Sequence, residues 1–184
     1  MVEEKESEVY KMKREIQVMD QLTEIVQRLS KGVLLTTKAE DKVNTMTIAW
    51  GTVGIEWNKL IFTAFIRESR YSFEQLKKNQ EFTINIPVGE FDKSIIGFCG
   101  SKSGRDVDKI KELGLTLVDG EKVSVPAIKE LPLTLECKVM YVQKQDIAAM
   151  PEGVVAASYP ADENGNVDMH VVFCGEIVNA YVVE

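Results

Sequence analysis

From Asn44 to Trp50 the chain alternates small residues, Thr45, Thr47 and Ala49, with larger apolar ones, Met46, Ile48 and Trp50. A period of two marks a strand. The apolar set belongs in a core. The small, hydroxyl-bearing set leaves a face on which a flat ligand can lie, bonded to backbone and threonine oxygens. The same stretch also reads as a half-exposed strand with threonine chosen for its β-propensity.

Ahead of it, apolar residues at Met12, Ile16, Met19, Leu22, Ile25, Val26 and Leu29 recur at helical spacing, predicting an amphipathic helix from about Ser7 to Leu29. Residues 1–29 are therefore expected as an N-terminal helical arm, and 30–184 as the main domain. The arm either caps its own barrel or packs on a second subunit. Seven apolar positions are more than a small barrel is expected to cover, which favours a homodimer. Val33–Thr37, Val43–Trp50, Lys59–Ile66, Glu81–Ile86, Leu131–Lys144 and His170–Val183 read as strands, with Gly51–Glu56 continuing after a bend. Lys59–Ile66 alternates little and is expected to be buried on both faces. Arg67–Asn79, Phe91–Phe98 and Asp106–Leu113 read as short helices, the last closed by Gly114; Met150–Asp168 reads as hairpin and loops. About six or more locally connected strands with inserted helices predict a mainly β (α+β) fold, an antiparallel barrel rather than a doubly wound sheet.

Composition narrows the function. A net charge of −7 argues against a nucleic-acid surface. No apolar run approaches the ~18 residues of a membrane span. Three widely spaced cysteines and a single histidine suit neither a disulfide framework nor a zinc site, so the chain reads as cytoplasmic and metal-free.

Two stretches carry candidate chemistry. Arg67-Glu68-Ser69-Arg70-Tyr71-Ser72 follows a strand and opens a helix, where free N–H groups, two cations and two hydroxyls favour an anion. The competing reading is plain capping by Ser69 or Ser72, with solvated arginines. Cys99 to Lys109 is rich in Gly and Ser and is not a P-loop; Ser103 followed by Asp106 resembles a capping box. His170 lies at the start of an apolar strand, beside Asp168, and with no second histidine it supports no Ser-His-Asp set. No side chain is expected to act as a general acid or base, since hydride transfer needs mainly alignment at ~3–3.5 Å.

Taken together, Gly32–Thr37, Asn44–Gly51, the Arg67–Ser72 stretch, the Cys99–Lys109 run, Leu135–Lys138 and Asp168-x-His170 before Gly175-Glu176-Ile177 resemble the FMN-binding split-barrel flavin reductases, in their flavoredoxin-like branch. The resemblance covers roughly residues 30 to 180. It implies a split barrel holding FMN non-covalently, with NADH or NADPH as electron donor, a homodimer, and electrons passed to an acceptor or a redox partner protein. An alternative it leaves open is an FMN electron carrier reduced by a partner protein, without nicotinamide activity of its own. Carried over by position, it implies FMN contacts at Thr45, Met46, Thr47, Ile48, Ala49, Trp50 and Phe65. Arg67, Ser69, Arg70, Tyr71 and Ser72 fall at the phosphate, Ser103 and Lys109 close the site, and His170 stands where a nicotinamide would stack. Met169 replaces an aromatic common in relatives, and Val171–Cys174 also departs from the family pattern.

Overall fold

The computed structural model describes residues 13–184. Two hairpins carry the sheet edges. In the first, β2 (Val33–Ala39) pairs with β3 (Lys42–Ile48), Val33 opposite Ile48. In the second, β4 (Gly51–Glu56) and β5 (Lys59–Arg67) are joined by Trp57 and Asn58, both at positive φ, the two-residue turn whose twist suits adjoining strands. Three longer-range strands, β6 (Glu81–Ile86), β9 (Leu133–Lys144) and β10 (His170–Val183), join them in the antiparallel order β3-β2-β6-β9-β10-β5-β4, with β1 (Lys13–Glu15) beside the end of β10. A small ribbon, β7 (Leu117–Val118) with β8 (Ala127–Ile128), lies apart. This is the expected mainly β split barrel with inserted helices.

The helices are α1 (Val18–Leu29), α2 (Tyr71–Lys78), α3 (Ser94–Ser101), α4 (Lys109–Leu113) and α5 (Glu152–Ser158). None among the described residues is long and apolar enough to cross a membrane. Leu35, Phe62, Ile66, Phe82, Ile84 and Leu135 fill the main core, and Leu34, Ile95, Cys99 and Leu131 a second cluster. Leu34 and Leu35 point to different clusters, so β2 is buried on both faces. By contrast, β5, expected to be buried on both faces, leaves Thr63 and Phe65 only half-buried.

Several expected elements shift. The arm helix begins at Val18: Lys13–Glu15 is extended, paired with Tyr181–Val183, because the end of β10 offers backbone groups that need a partner. Met12 lies outside the described residues. Ile25 and Leu29 sink into the chain's own core and Leu22 packs against it, while Met19 is 62 % exposed. Of the described stripe, Ile16, Leu22, Ile25 and Leu29 are thus covered by the chain itself, while Met19 and Val26 (57 % exposed) are not. The strand expected to reach Trp50 ends at Ile48, and Trp50, expected in the core, is 49 % exposed. The chain turns out of the ladder there, so the alternation no longer dictates burial. Helix α2 starts four residues later than expected because β5 runs on through Arg67; no side chain caps it, and Ser72 is buried within it. Helix α3 extends over Cys99–Ser101, and Asp108 rather than Ser103 caps α4, accepting from Lys111 N at 3.1 Å, with Gly114 at φ 60° closing it. The segment read as loops contains α5.

One buried carboxylate ties the barrel to the Glu121–Lys122 turn. Glu136, on β9, accepts from the amides of Glu121 (2.8 Å) and Lys122 (2.7 Å) and from the Tyr181 hydroxyl (2.9 Å). Burial and the neighbouring carboxylate raise the Tyr181 pKa and keep its proton in place. Glu136→Gln turns one acceptor into a donor facing donors. It should lower stability by about 2 kcal/mol or more, read from the urea midpoint; an unchanged midpoint would show the charge to be dispensable.

Candidate functional site

Where β3 gives out, Ala49 and Trp50 cross exposed to β4. On the neighbouring β5–β10 ladder His170 stands opposite Arg67. The Trp50 and His170 rings lie 5.1 Å apart, tilted by 48°. With Met46–Trp50, Phe65 and Arg70 they bound a cleft of about 200 Å³. At Met46, Thr47 and Arg70 it runs into a second cleft of about 90 Å³, between β3, the start of α2 and the Cys99–Lys109 segment. That segment and α3 hug β3 closely: a Cβ on Gly104 would overlap Asn44 Oδ1, and Thr47 Oγ1 donates to Ile96 O of α3 at 2.6 Å.

The smaller cleft is cationic. Arg70, Lys102, Arg105 and Lys109 line it. Arg105 is committed to Glu74 (2.7 Å) and to Ser69 O (2.8 Å). Lys109 is 3 % exposed with its amine on Cys99 O at 3.1 Å; burial, helped by Arg70, lowers its pKa. Among the described residues no carboxylate lies within ion-pair distance of Arg70, Lys102 or Lys109. The larger cleft is walled by aromatic and aliphatic groups, so the pair suits a planar ring with an anionic tail.

The family model of the flavin reductase like domain matches residues 26–184. The chain belongs to the flavin reductase like family. An uncharacterized protein of Archaeoglobus fulgidus is 35 % identical over 106 residues, 58 % of this chain and 59 % of that one, so the match spans little more than half of that relative. A flavoredoxin from Methanosarcina acetivorans is similar at 27 % identity with a TM-score of 0.61, over 83 % of this chain and 68 % of the other. An FMN-binding domain of a flavin reductases-like enzyme from Shewanella baltica shares the fold at 16 % identity, TM-score 0.62, over 93 % and 77 % of the two chains.

In this flavin reductase-like chain the expected site residues divide. Met46, Thr47, Ile48, Ala49, Trp50, Phe65, Arg70 and His170 meet in the larger cleft; Ser69, Tyr71, Ser72, Ser103 and Lys109 join Arg70 in the smaller. Thr45 joins neither. It is fully buried, its Oγ1 3.1 Å from Thr36 Oγ1. Arg67 reaches the larger cleft only from the side. Its Nη1 donates to Asp168 O (2.6 Å) and its Nη2 to Ser158 O (2.8 Å). Ser69 is likewise held, its hydroxyl donating to the Asp168 carboxylate at 2.7 Å.

Sequence reasoning missed Tyr159 and Gln145. The Tyr159 hydroxyl donates to Gln145 Oε1 (2.7 Å) and lies in hydrogen-bond contact with His170 Nδ1 (2.8 Å). Both lie outside any motif, and no signal in the chain pairs them with His170. Lys102 and Arg105 were within reach, since the Cys99–Lys109 run contains them.

Burial first, then Arg67 and Arg70, push the His170 pKa down to about 4 against the pull of Asp168. The unfolded chain therefore takes up this proton near pH 6.5 and the folded chain only near 4. Stability falls as the pH drops through that window. With one histidine in the chain, the imidazole proton resonance is unambiguous. It should titrate with a midpoint near 4; a midpoint near 6.5 would place the ring in solvent.

Proposed function

We propose that the chain is an NAD(P)H-dependent flavin oxidoreductase that binds FMN non-covalently, ring in the larger cleft and phosphate in the smaller. The observation that carries this is the buried Lys109 beside Arg70, with no carboxylate partner among the described residues, in a small cleft that shares Met46, Thr47 and Arg70 with the aromatic-walled one. A buried cation without a counter-charge is costly. A phosphate supplies that charge, each charge-assisted hydrogen bond contributing about 1.5–3 kcal/mol. Bound FMN would supply the two-electron chemistry.

The protein's part is placement. Arg70, Lys109, Ser103, Tyr71 and Ser72 hold the phosphate; Thr47, Ile48 and Ala49 meet the ring edge; Trp50, Phe65 and neutral His170 wall the side open to a nicotinamide. Arg67 works at one remove, fastening the carbonyls of Ser158 and Asp168 so that Tyr159 and His170 keep their positions. A flavoredoxin-like carrier in the cytoplasm, reduced by a partner protein, is the second reading, favoured by the 27 % identity to a flavoredoxin. Anaerobic addition of NADH or NADPH separates the two: the reductase bleaches and the carrier stays yellow. The homodimer belongs to the same proposal. It now rests on the apolar surface where exposed Trp57 meets Tyr141 at 6.4 Å, beside exposed Ile55 and Met140.

Arg70→Ala should weaken FMN binding about tenfold or more while riboflavin, lacking the phosphate, is nearly unaffected. Arg67→Ala should weaken both ligands alike. Equal losses of the two ligands in the Arg70 variant would remove the phosphate assignment. His170→Ala should slow reduction by NAD(P)H with FMN affinity retained, and matching stopped-flow rates would leave His170 a structural role. Sedimentation at micromolar protein should give about twice the 20.7 kDa chain mass; a monomer retaining FMN would end the dimer reading.

A further inference from the structure

A third cavity, about 600 Å³, meets the larger cleft at Ala49, Trp50 and Phe65, which line both. Val26 and Leu29 of α1 and Val154 of α5 supply further walls. Its size falls within the range of small-molecule sites, about 300–1,000 Å³. No Lys, Arg, Asp or Glu lines it, whereas four cations line the phosphate cleft.

We propose that this cavity holds an uncharged planar electron acceptor of the quinone class, seated beside the flavin; this rests on the flavin reading above. A charged ligand would find no counter-charge here, and the pyrophosphate of a dinucleotide no cation. A flat, neutral ring loses little and gains the faces of Phe65 and Trp50, the latter half-exposed without a ligand. The polar end suits carbonyl oxygens. Gln145 spends its side-chain oxygen on Tyr159, and its Nε2 donates to no group among the described residues, leaving an amide donor at the rim. The step balances: the quinone takes two electrons and two protons and leaves as the hydroquinone. NAD(P)H supplies a hydride, solvent supplies one proton, and the flavin between them ends as it began.

The test uses the full chain carrying Trp57→Phe, which leaves Trp50 as the sole tryptophan. Menadione, an uncharged quinone, is titrated against Trp50 fluorescence in flavin-free and in FMN-loaded protein, with anthraquinone-2-sulfonate as the charged counterpart. The expected result is saturable quenching by menadione in both forms and binding of the sulfonate at least tenfold weaker. Val154→Asp puts a charge on the half-exposed wall of α5, and Val154→Phe fills the cavity without one and without a second tryptophan. Each should weaken menadione at least tenfold and raise its KM correspondingly, with FMN affinity kept within twofold as the check on folding. Menadione that binds both variants as well as the parent, that displaces FMN, or that quenches only when a dimer dissociates in sedimentation overturns the assignment. Protein that never takes up FMN yet binds menadione with this Val154 dependence overturns the flavin reading and supports the cavity as a quinone site.

Discussion

The register of the β5–β10 ladder, ending with His170 opposite Arg67, governs the site. Past that point the two chains remain tied: Glu68 N donates to Met169 O at 3.1 Å, Ser69 bonds the Asp168 carboxylate, and Arg67 grips two carbonyls. A slip of one residue would turn His170 to the other face of the sheet. The Trp50 and Tyr159 contacts, and with them the wall of the larger cleft, would go with it.

Two buried ionic groups show opposite solutions to desolvation. Glu136 receives three hydrogen bonds from its own chain and is a finished structural device. Lys109 donates one, to the carbonyl of Cys99, and borders a cleft. A charge left short of partners is costly to the folded state unless something outside the chain completes it. That contrast is what separates a site from a structural knot in this barrel, and it lies in the count of partners rather than in residue type.

Much of the fold was legible. The strands at Val33–Thr37 and Glu81–Ile86 read correctly because their ends are marked by turn residues or Pro87. The clustering of Arg67–Ser72 and Cys99–Lys109 at one cleft was legible only through the resemblance, since the two segments are some thirty residues apart. Trp50 and Thr45 were misplaced for one reason: periodicity holds only while a strand stays in the sheet and says nothing about which face receives a second layer. Thr45 faces Thr36, which in turn bonds Asn85, in a buried polar layer where the Thr45 hydroxyl accepts from Thr36 and donates to Leu35 O.

By itself the sequence determined the type of the longer strands and of most helices, the mainly β class and the two segments rich in cations and hydroxyls, because these follow from local period and composition. Only the tertiary structure decided what each cation does. Arg67 and Arg70 are three residues apart and chemically identical, yet one is used up on carbonyls brought in from Ser158 and Asp168, and the other is left facing a cleft. The partners that make the difference come from about a hundred residues away, and no local pattern encodes a contact whose two halves meet only when the sheet closes.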